Sequence, residues 1–260
     1  MKLTFLGTGG AFTDYRVNYH NNAVVETSEG LVLIDCGSTA VQSLKELGLK
    51  PWDVAGAIIT HTHGDHTGGL EQLIWERVYT GEAGPGWLRT SIYGNPTVCR
   101  DVIRMISAPI EEFTDRDGVC RPDGFHRLVE IHGVLMPFDI GGVRFNLHRT
   151  PHVVGPGVDK PTFGVTIEQG GRQVYFTSDT TFRPNIGELF PNAEVIFHDC
   201  GFYPKFLGTV HTHYTDLVTL PADVKARTVL MHHTSVPPGI DPVADGFLGA
   251  AKRHESFVLG

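Results

Sequence analysis

The sequence predicts an α/β protein whose order of elements suits, among other α/β folds, two β-sheets packed face to face with helices outside, a four-layer αββα sandwich. Three observations predict it. Short apolar runs of strand length come first, then a helical segment, then strands and helices again. The 260 residues are 41% hydrophobic and 19% charged, enough apolar material for a sizeable core in one domain spanning 1–260. The longest apolar runs, "GLVLID" and "AGAIIT", stop well short of the roughly 18 residues a membrane span needs.

Each element has its own signal. "LTFL" near the start is a strand, and "AVVET" and "LVLID" form a hairpin turning at Ser28-Glu29-Gly30. Ser38 is expected to cap a helix through "TAVQSLKEL", closed by Gly48 with Pro51 beyond. "VAGAIIT" is a buried strand that runs straight into a histidine cluster. A helix from about Gly68 carries Leu70, Leu73 and Ile74 on one side. The stretch 77–127 reads as an irregular insert. "GEAGPGW" within it is a loop, and "NPTVCRDVIRMI" is a helix with Asn95 as cap and Pro96 at the first turn. Strands resume at "HRLVEIH", "VRFNLH", "TFGVTIE", "RQVYFTS" and "AEVIFHD". A helix at "PADVKAR", the strand "TVLMH", a helix at "DPVADGFLGAAK" and a terminal "SFVLG" complete the chain.

A net charge of −8 argues against a grip on long nucleic acid, which normally needs a basic face, but leaves room for a small anionic substrate. Cys36, Cys99, Cys120 and Cys200 are scattered without a paired spacing, so reduced thiols are expected. "MKLTFLGTGG" has no apolar h-region, and a cytoplasmic location without membrane contact is the expectation.

Histidine is the outlier, with 14 residues, and they cluster. In "HTHGDH", His61 and His63 alternate at a strand end and face one point, and a turn at Gly64 brings Asp65 and His66 in from a second direction. Zn(II) takes such N and O ligands at roughly 2.0–2.2 Å. Four ligands so close suit two ions better than one, and further ligands follow apolar strands elsewhere: His152, Asp179 and His232. The expected split gives His61, His63 and His152 to one ion and Asp65, His66 and His232 to the other, with Asp179 bridging through its two oxygens. His233 and His148 are the competing choices. His232 is preferred because it comes first after its strand, and His148 lies inside a strand pattern. His20, His132 and His254 read as satisfied or surface residues.

The chain resembles the metallo-β-lactamase superfamily, in the branch shared by tRNase Z and related phosphodiesterases. The residues that carry this are "FLGTGGAF" (5–12), "LIDCG" (33–37), "IITHTHGDHTGGL" (58–70), "TPH" (150–152), "FTSDT" (176–180) and "LMHHTS" (230–235). The resemblance implies the αββα sandwich, two Zn(II) per chain (Mn or Fe in some members) on the ligands above, and a hydroxide activated by the metal pair. Asp65 would orient that nucleophile. tRNase Z enzymes also carry an acidic residue and a histidine that protonate the leaving oxygen. The matching segments here are "FHDC", giving Asp199, and "VHTHYTDL", where His213 aligns best and His211 second.

The long basic arm of tRNase Z has no counterpart. Residues 97–127 hold five arginines against six acids, a poor phosphate-backbone clamp. The beginning "GTGGAFTDYRVNYHNN" looks more like the small-molecule phosphodiesterases of the branch, among them cyclic-nucleotide hydrolases and the phage anti-CBASS enzymes that destroy cyclic-nucleotide immune signals. The expected function is therefore a metal-dependent phosphodiesterase acting on cyclic nucleotides or small phosphodiesters. The alternatives are tRNA 3′-processing and, lower, lactone or thioester hydrolysis. The aromatic residues Trp87, Tyr93, Phe113, Phe163, Phe182, Phe202 and Tyr203 are candidates to stack on a base or to serve as packing. The branch also implies a homodimer, with the Trp87 loop covering the partner's site.

Overall fold

The structure is a computed structural model and describes residues 1–80, 89–115, 117–204 and 210–258. In chain order the first half holds β1 (Lys2–Phe5), β2 (Ala23–Thr27), β3 (Gly30–Ile34), α1 (Ala40–Glu46), β4 (Val54–Ile58), α2 (Gly64–Thr67) and α3 (Leu70–Tyr79). It continues through β5 (Thr90–Gly94), α4 (Pro96–Ile110), β6 (Phe113–Thr114), β7 (Cys120–Arg121), α5 (Gly124–Leu128) and β8 (Val129–Gly133). The second half holds β9 (Phe138–Ile140), β10 (Val143–Arg149), β11 (Val154–Gly155), β12 (Val158–Asp159), β13 (Phe163–Gln169), β14 (Arg172–Phe176) and α6 (Ile186–Leu189). Then come β15 (Ala193–Asp199), α7 (Tyr214–Leu217), α8 (Ala222–Lys225), β16 (Thr228–Met231), β17 (Gly249–Ala250) and β18 (Ser256–Val258).

Two seven-stranded sheets dominate, ordered β18-β1-β2-β3-β4-β5-β8 and β17-β16-β15-β14-β13-β10-β9. Strand alternation places them. In β3, Val32 and Ile34 join Phe5, Ile58, Phe145, Phe176 and Phe197 in a core between the sheets, while Leu31 and Leu33 face α1, α3 and α4. The outer face of the second sheet buries Tyr175, Ile196 and Leu230 under α6, α7 and α8. Both faces of each sheet are therefore covered, which is the four-layer αββα sandwich.

Several expectations need correction. The stretch 77–127 is more regular than its composition predicts. It contributes β5, paired in parallel with β4 and β8, and the fifteen-residue α4, which Asn95 caps as expected by accepting from Thr97 N–H. "GEAGPGW" lies outside the described residues. The N-cap of α1 is Thr39, not Ser38, whose hydroxyl instead meets Tyr15 and His20. "DPVADGFLGAAK" is not a helix but a run of turns leading into β17. Pro242, Gly246 and Gly249 interrupt it, and Gly246 has φ of 94°.

The strands that matter for chemistry run the same way. β3, β4 and β5 are parallel, as are β14, β15 and β16, and β10 shares the direction of β14 because both are antiparallel to β13. Carboxyl ends of parallel strands are where such sheets open crevices for ligands.

Candidate metal centre and catalytic site

The chain leaves β4 extended, so His61 and His63 project from one strand end, and α2 then presents Asp65 and His66. The second sheet contributes His152 after β10, Asp179 after β14, Asp199 at the end of β15 and His232 directly after β16. Register aligns them, with Phe176 opposite Phe197 and Asp199 opposite Met231. Backbone strain concentrates here: Asp35, Ser178 and His232 have φ of 64°, 53° and 63°. Left-handed conformations in residues other than glycine cluster where surrounding contacts fix them for function.

The structure brings the seven residues expected as ligands together in two groups around Asp179. In the first, His61 Nε2 lies 2.9 Å from His63 Nδ1, and His152 Nε2 lies 3.2 Å from the same atom. Asp179 Oδ2 is 3.5 Å from His61 Nε2 and 3.4 Å from His152 Nε2. In the second, Asp65 Oδ2 is 3.3 Å from His66 Nε2 and 3.4 Å from His232 Nε2. Asp179 Oδ1 is 3.2 Å from each of the same two nitrogens. A tetrahedron with arms of about 2.0–2.2 Å has edges of about 3.3–3.6 Å; the second group, at 3.2–3.4 Å, is close to those dimensions, and the first is tighter at His63, with edges of 2.9 and 3.2 Å. Each group takes one oxygen of Asp179.

The surrounding hydrogen bonds set which ring nitrogen faces inward. His66 Nδ1 donates to Asp35 Oδ2 at 2.7 Å and His152 Nδ1 donates to the Val210 carbonyl at 2.7 Å, so that both Nε2 atoms face into the cluster. Thr60 Oγ1 donates to Asp35 and lies 3.1 Å from His61 Nδ1. His66 Nε2 and Asp179 Oδ1 are buried without a hydrogen-bond partner. Buried acceptors facing acceptors are costly unless a cation or proton lies between them. The donor set therefore fits a pair of divalent ions.

Protonation differs between the halves. Burial lowers His61 well below the ordinary imidazole range, and burial with the nearby Lys160 and His152 pushes His63 down to about 4. For His232, burial is outweighed by Asp179, Asp199 and Asp65, which push it up to about 9, and His66 is raised for similar reasons. A cation entering the second half displaces protons, while the first half offers neutral imidazoles.

Asp35 was not singled out by sequence reasoning. It is fully buried and accepts from Thr60 N–H, Thr60 Oγ1 and His66 Nδ1. Burial pushes its carboxyl up, and His66 opposes that shift. Its only signal was a carboxylate inside the apolar run "LVLID". Asn22 is a second omission: it accepts from Gly37 N–H and donates to the Asp65 carbonyl. A Cβ on Gly37 would lie 2.0 Å from that same carbonyl, so the close approach requires glycine.

The expected pairing of Asp199 with His213 is corrected. His211 Nδ1 donates to Asp199 Oδ2 at 2.9 Å, and Thr180 N–H holds the same oxygen. His213 is the N-cap of α7, its Nδ1 accepting from Thr215 N–H. His211 also stacks 4.7 Å from His232. His233 turns away, to the Leu230 carbonyl and Phe202. His148 meets Thr166 and Phe190. His20 and His254 are satisfied by Tyr15 and Ser43, and His132 stacks on Tyr93.

A cavity of about 530 Å³ opens beside His211 and His232, lined also by Gly10, Phe12, Phe202 and Tyr203. Of the other aromatic candidates, Phe113 and Phe163 are core and Tyr93 stacks on His132 and Phe138. Trp87 lies outside the described residues.

Known proteins share this plan. The structure of the metallo-β-lactamase fold protein YhfI from Bacillus subtilis superposes with a TM-score of 0.76 over 98% of both chains at 17% identity. The Anti-Pycsar protein Apyc1 of Paenibacillus sp. (strain J14) is 28% identical over 268 residues, covering 100% of this chain and 99% of its own. That of Bacillus phage 010DV004 is 30% identical over 248 residues, covering 90% and 89%. The model of the family described as Anti-Pycsar protein Apyc1 matches residues 1–257, and the chain belongs to that family.

Proposed function

We propose that this protein uses two divalent cations to hydrolyse cyclic nucleotides. The chain is a hydrolase of phosphodiester bonds; the metal pair, the substrate and the residue roles are the proposal. The observation that carries it is a His/Asp cluster divided by Asp179, with the adjoining His211–Asp199 pair beside a cavity of about 530 Å³. That volume is in the range of small-molecule sites, roughly 300–1,000 Å³. Membership of the Apyc1 family and the likeness of residues 7–22 to enzymes that destroy cyclic-nucleotide signals support this substrate class.

His61, His63 and His152 would hold one cation, Asp65, His66 and His232 the other, with Asp179 shared. Zn(II) suits these donors, and Mn or Fe would be accepted by the same set. Bound there, such a pair makes water more acidic and offsets charge growing on the phosphoryl oxygens. Asp65 Oδ2 faces His66 and His232, leaving Oδ1 to orient the attacking water. As the ring P–O bond breaks, His211 delivers a proton from Nε2 to the departing ribose oxygen. Nδ1 is committed to Asp199, which keeps the ring aimed and stabilises its charged form. The product is a nucleoside monophosphate.

The four free thiols, three of them buried, suit a reducing cytoplasm. No helix among the described residues is long and apolar enough to cross a membrane. A homodimer belongs to the same reading, and light scattering checks it.

The test is a panel of 3′,5′-cyclic mononucleotides, cyclic dinucleotides and a tRNA precursor, run with metal analysis and with EDTA. The expected result is ring opening of a cyclic nucleotide, about two metal ions per chain, loss of turnover in EDTA and recovery with zinc or manganese. Cleavage of the tRNA precursor alone, or turnover that ignores EDTA, overturns the reading.

A further inference from the structure

We infer that Phe12 is the stacking platform for the substrate's base, set at the tip of a turn whose root touches the metal cluster. The inference rests on the cyclic-nucleotide reading above and names the group that reads the base. Phe12 is 102% exposed, the most solvent-accessible large apolar residue described. It does not sit on a loose segment. Thr13 N–H donates to the Gly10 carbonyl at 3.0 Å, closing a four-residue turn with Phe12 in its third place. Thr13 Oγ1 lies 2.9 Å from Thr234 Oγ1, and Asn18 Nδ2 donates to the Thr234 carbonyl at 2.9 Å, tying this segment to the loop that carries His232. At the root, a Cβ on Gly10 would lie 2.9 Å from His232 Cε1, so the turn rests directly on that imidazole.

The exposed ring thus has a fixed origin beside the cluster, and it lines the same cavity as His211 and His232. A second aromatic, Tyr203, enters that cavity from another chain segment and is 37% exposed. Its ring covers the open side of Gly201, where a Cβ would lie 2.6 Å from Tyr203 Cε1. Two accessible rings in one cavity, one of them without any packing role, match what a flat heteroaromatic base needs, since every base offers a π-face. The Thr13 and Thr234 hydroxyls lie in the same lining and can meet the polar edge of the base.

The test compares Phe12→Ala and Phe12→Trp with the wild type on two substrates: a 3′,5′-cyclic nucleotide and 1-O-methylribose 3′,5′-cyclic phosphate, which lacks the base. Light scattering is run on each variant. The expected result is that Phe12→Ala raises KM for the nucleotide about tenfold more than for the base-free compound, with Phe12→Trp restoring it. An equal effect on both substrates, no effect on either, or a change of oligomeric mass that accounts for the loss overturns the assignment and leaves the phosphodiesterase reading standing. A wild-type protein that turns over neither compound overturns both.

Discussion

Asp35→Asn isolates the contribution of one buried carboxylate to the cluster. Asp35 Oδ2 accepts from His66 Nδ1 at 2.7 Å and Thr60 Oγ1 at 2.8 Å, while Oδ1 accepts from Thr60 N–H at 2.8 Å. An asparagine has two orientations. With its amide nitrogen toward Thr60 N–H, two donors oppose each other in a buried place, which costs about 1–3 kcal/mol. With the nitrogen toward His66, the Thr60 hydroxyl loses its acceptor and must turn to accept, while His66 is satisfied if it accepts at Nδ1 and carries its proton on Nε2. That proton then points at Asp65 Oδ2 and Asp179 Oδ1, 3.3 and 3.2 Å away. The variant folds, losing the charge assistance of its bonds and the acceptor of the Thr60 hydroxyl, about 1–3 kcal/mol. A cation expels a proton from Nε2 in the wild type too, but in the variant the neutral ring then needs Nδ1–H, which faces the amide nitrogen and forces the unfavourable flip. Affinity at the Asp65–His66–His232 half should fall about 10–100-fold, the usual effect of removing such an outer partner. The half built on His61, His63 and His152 should change far less. Competition titration with a chromophoric chelator resolves the two affinities, and urea unfolding of the metal-free protein measures the stability change. Two unaltered affinities in a folded variant refute the account of Asp35 as the group that sets the His66 tautomer.

Two further substitutions probe other parts of the molecule. His211→Ala should lower kcat on a cyclic nucleotide by about 10²–10⁴, because the ribose oxygen needs a proton. An aryl phosphodiester with an acidic phenol leaving group should be affected far less, and equal losses on both substrates in steady-state assays exclude His211 as the proton donor. Phe176→Ala removes a fully buried ring whose centroid lies 6.1 Å from that of Phe5 and 6.5 Å from that of Phe197. Urea unfolding should register a loss of about 3–5 kcal/mol.

The cluster was legible because its chemistry is local in two senses. "HTHGDH" is contiguous, and His152, Asp179 and His232 each stand just past an apolar run, so strand ends were enough to place them. Asp35 was not legible, because its role depends on Thr60 and His66, which only folding brings beside it. His211 and His213 sit two residues apart, and pattern matching put His213 first and His211 second for the place beside Asp199, where the structure puts His211. His213 instead caps α7, a role that depends on a short helix not read from the sequence. Helix periodicity in "DPVADGFLGAAK" yielded to its proline and glycines. In the stretch 77–127, loop-rich composition obscured β5, whose place is set by pairing with β4 rather than by its own residues.

The cluster draws His61, His63, Asp65 and His66 from one half of the molecule and His152, Asp179 and His232 from the other. Any cation seated there acts as a clasp between two layers otherwise joined by greasy contact and a few hydrogen bonds such as Ser178 to Thr60. Loading the clasp ties cohesion of the whole body to the free concentration of divalent ions around it. Starvation for metal would then loosen the joint as well as silence the chemistry.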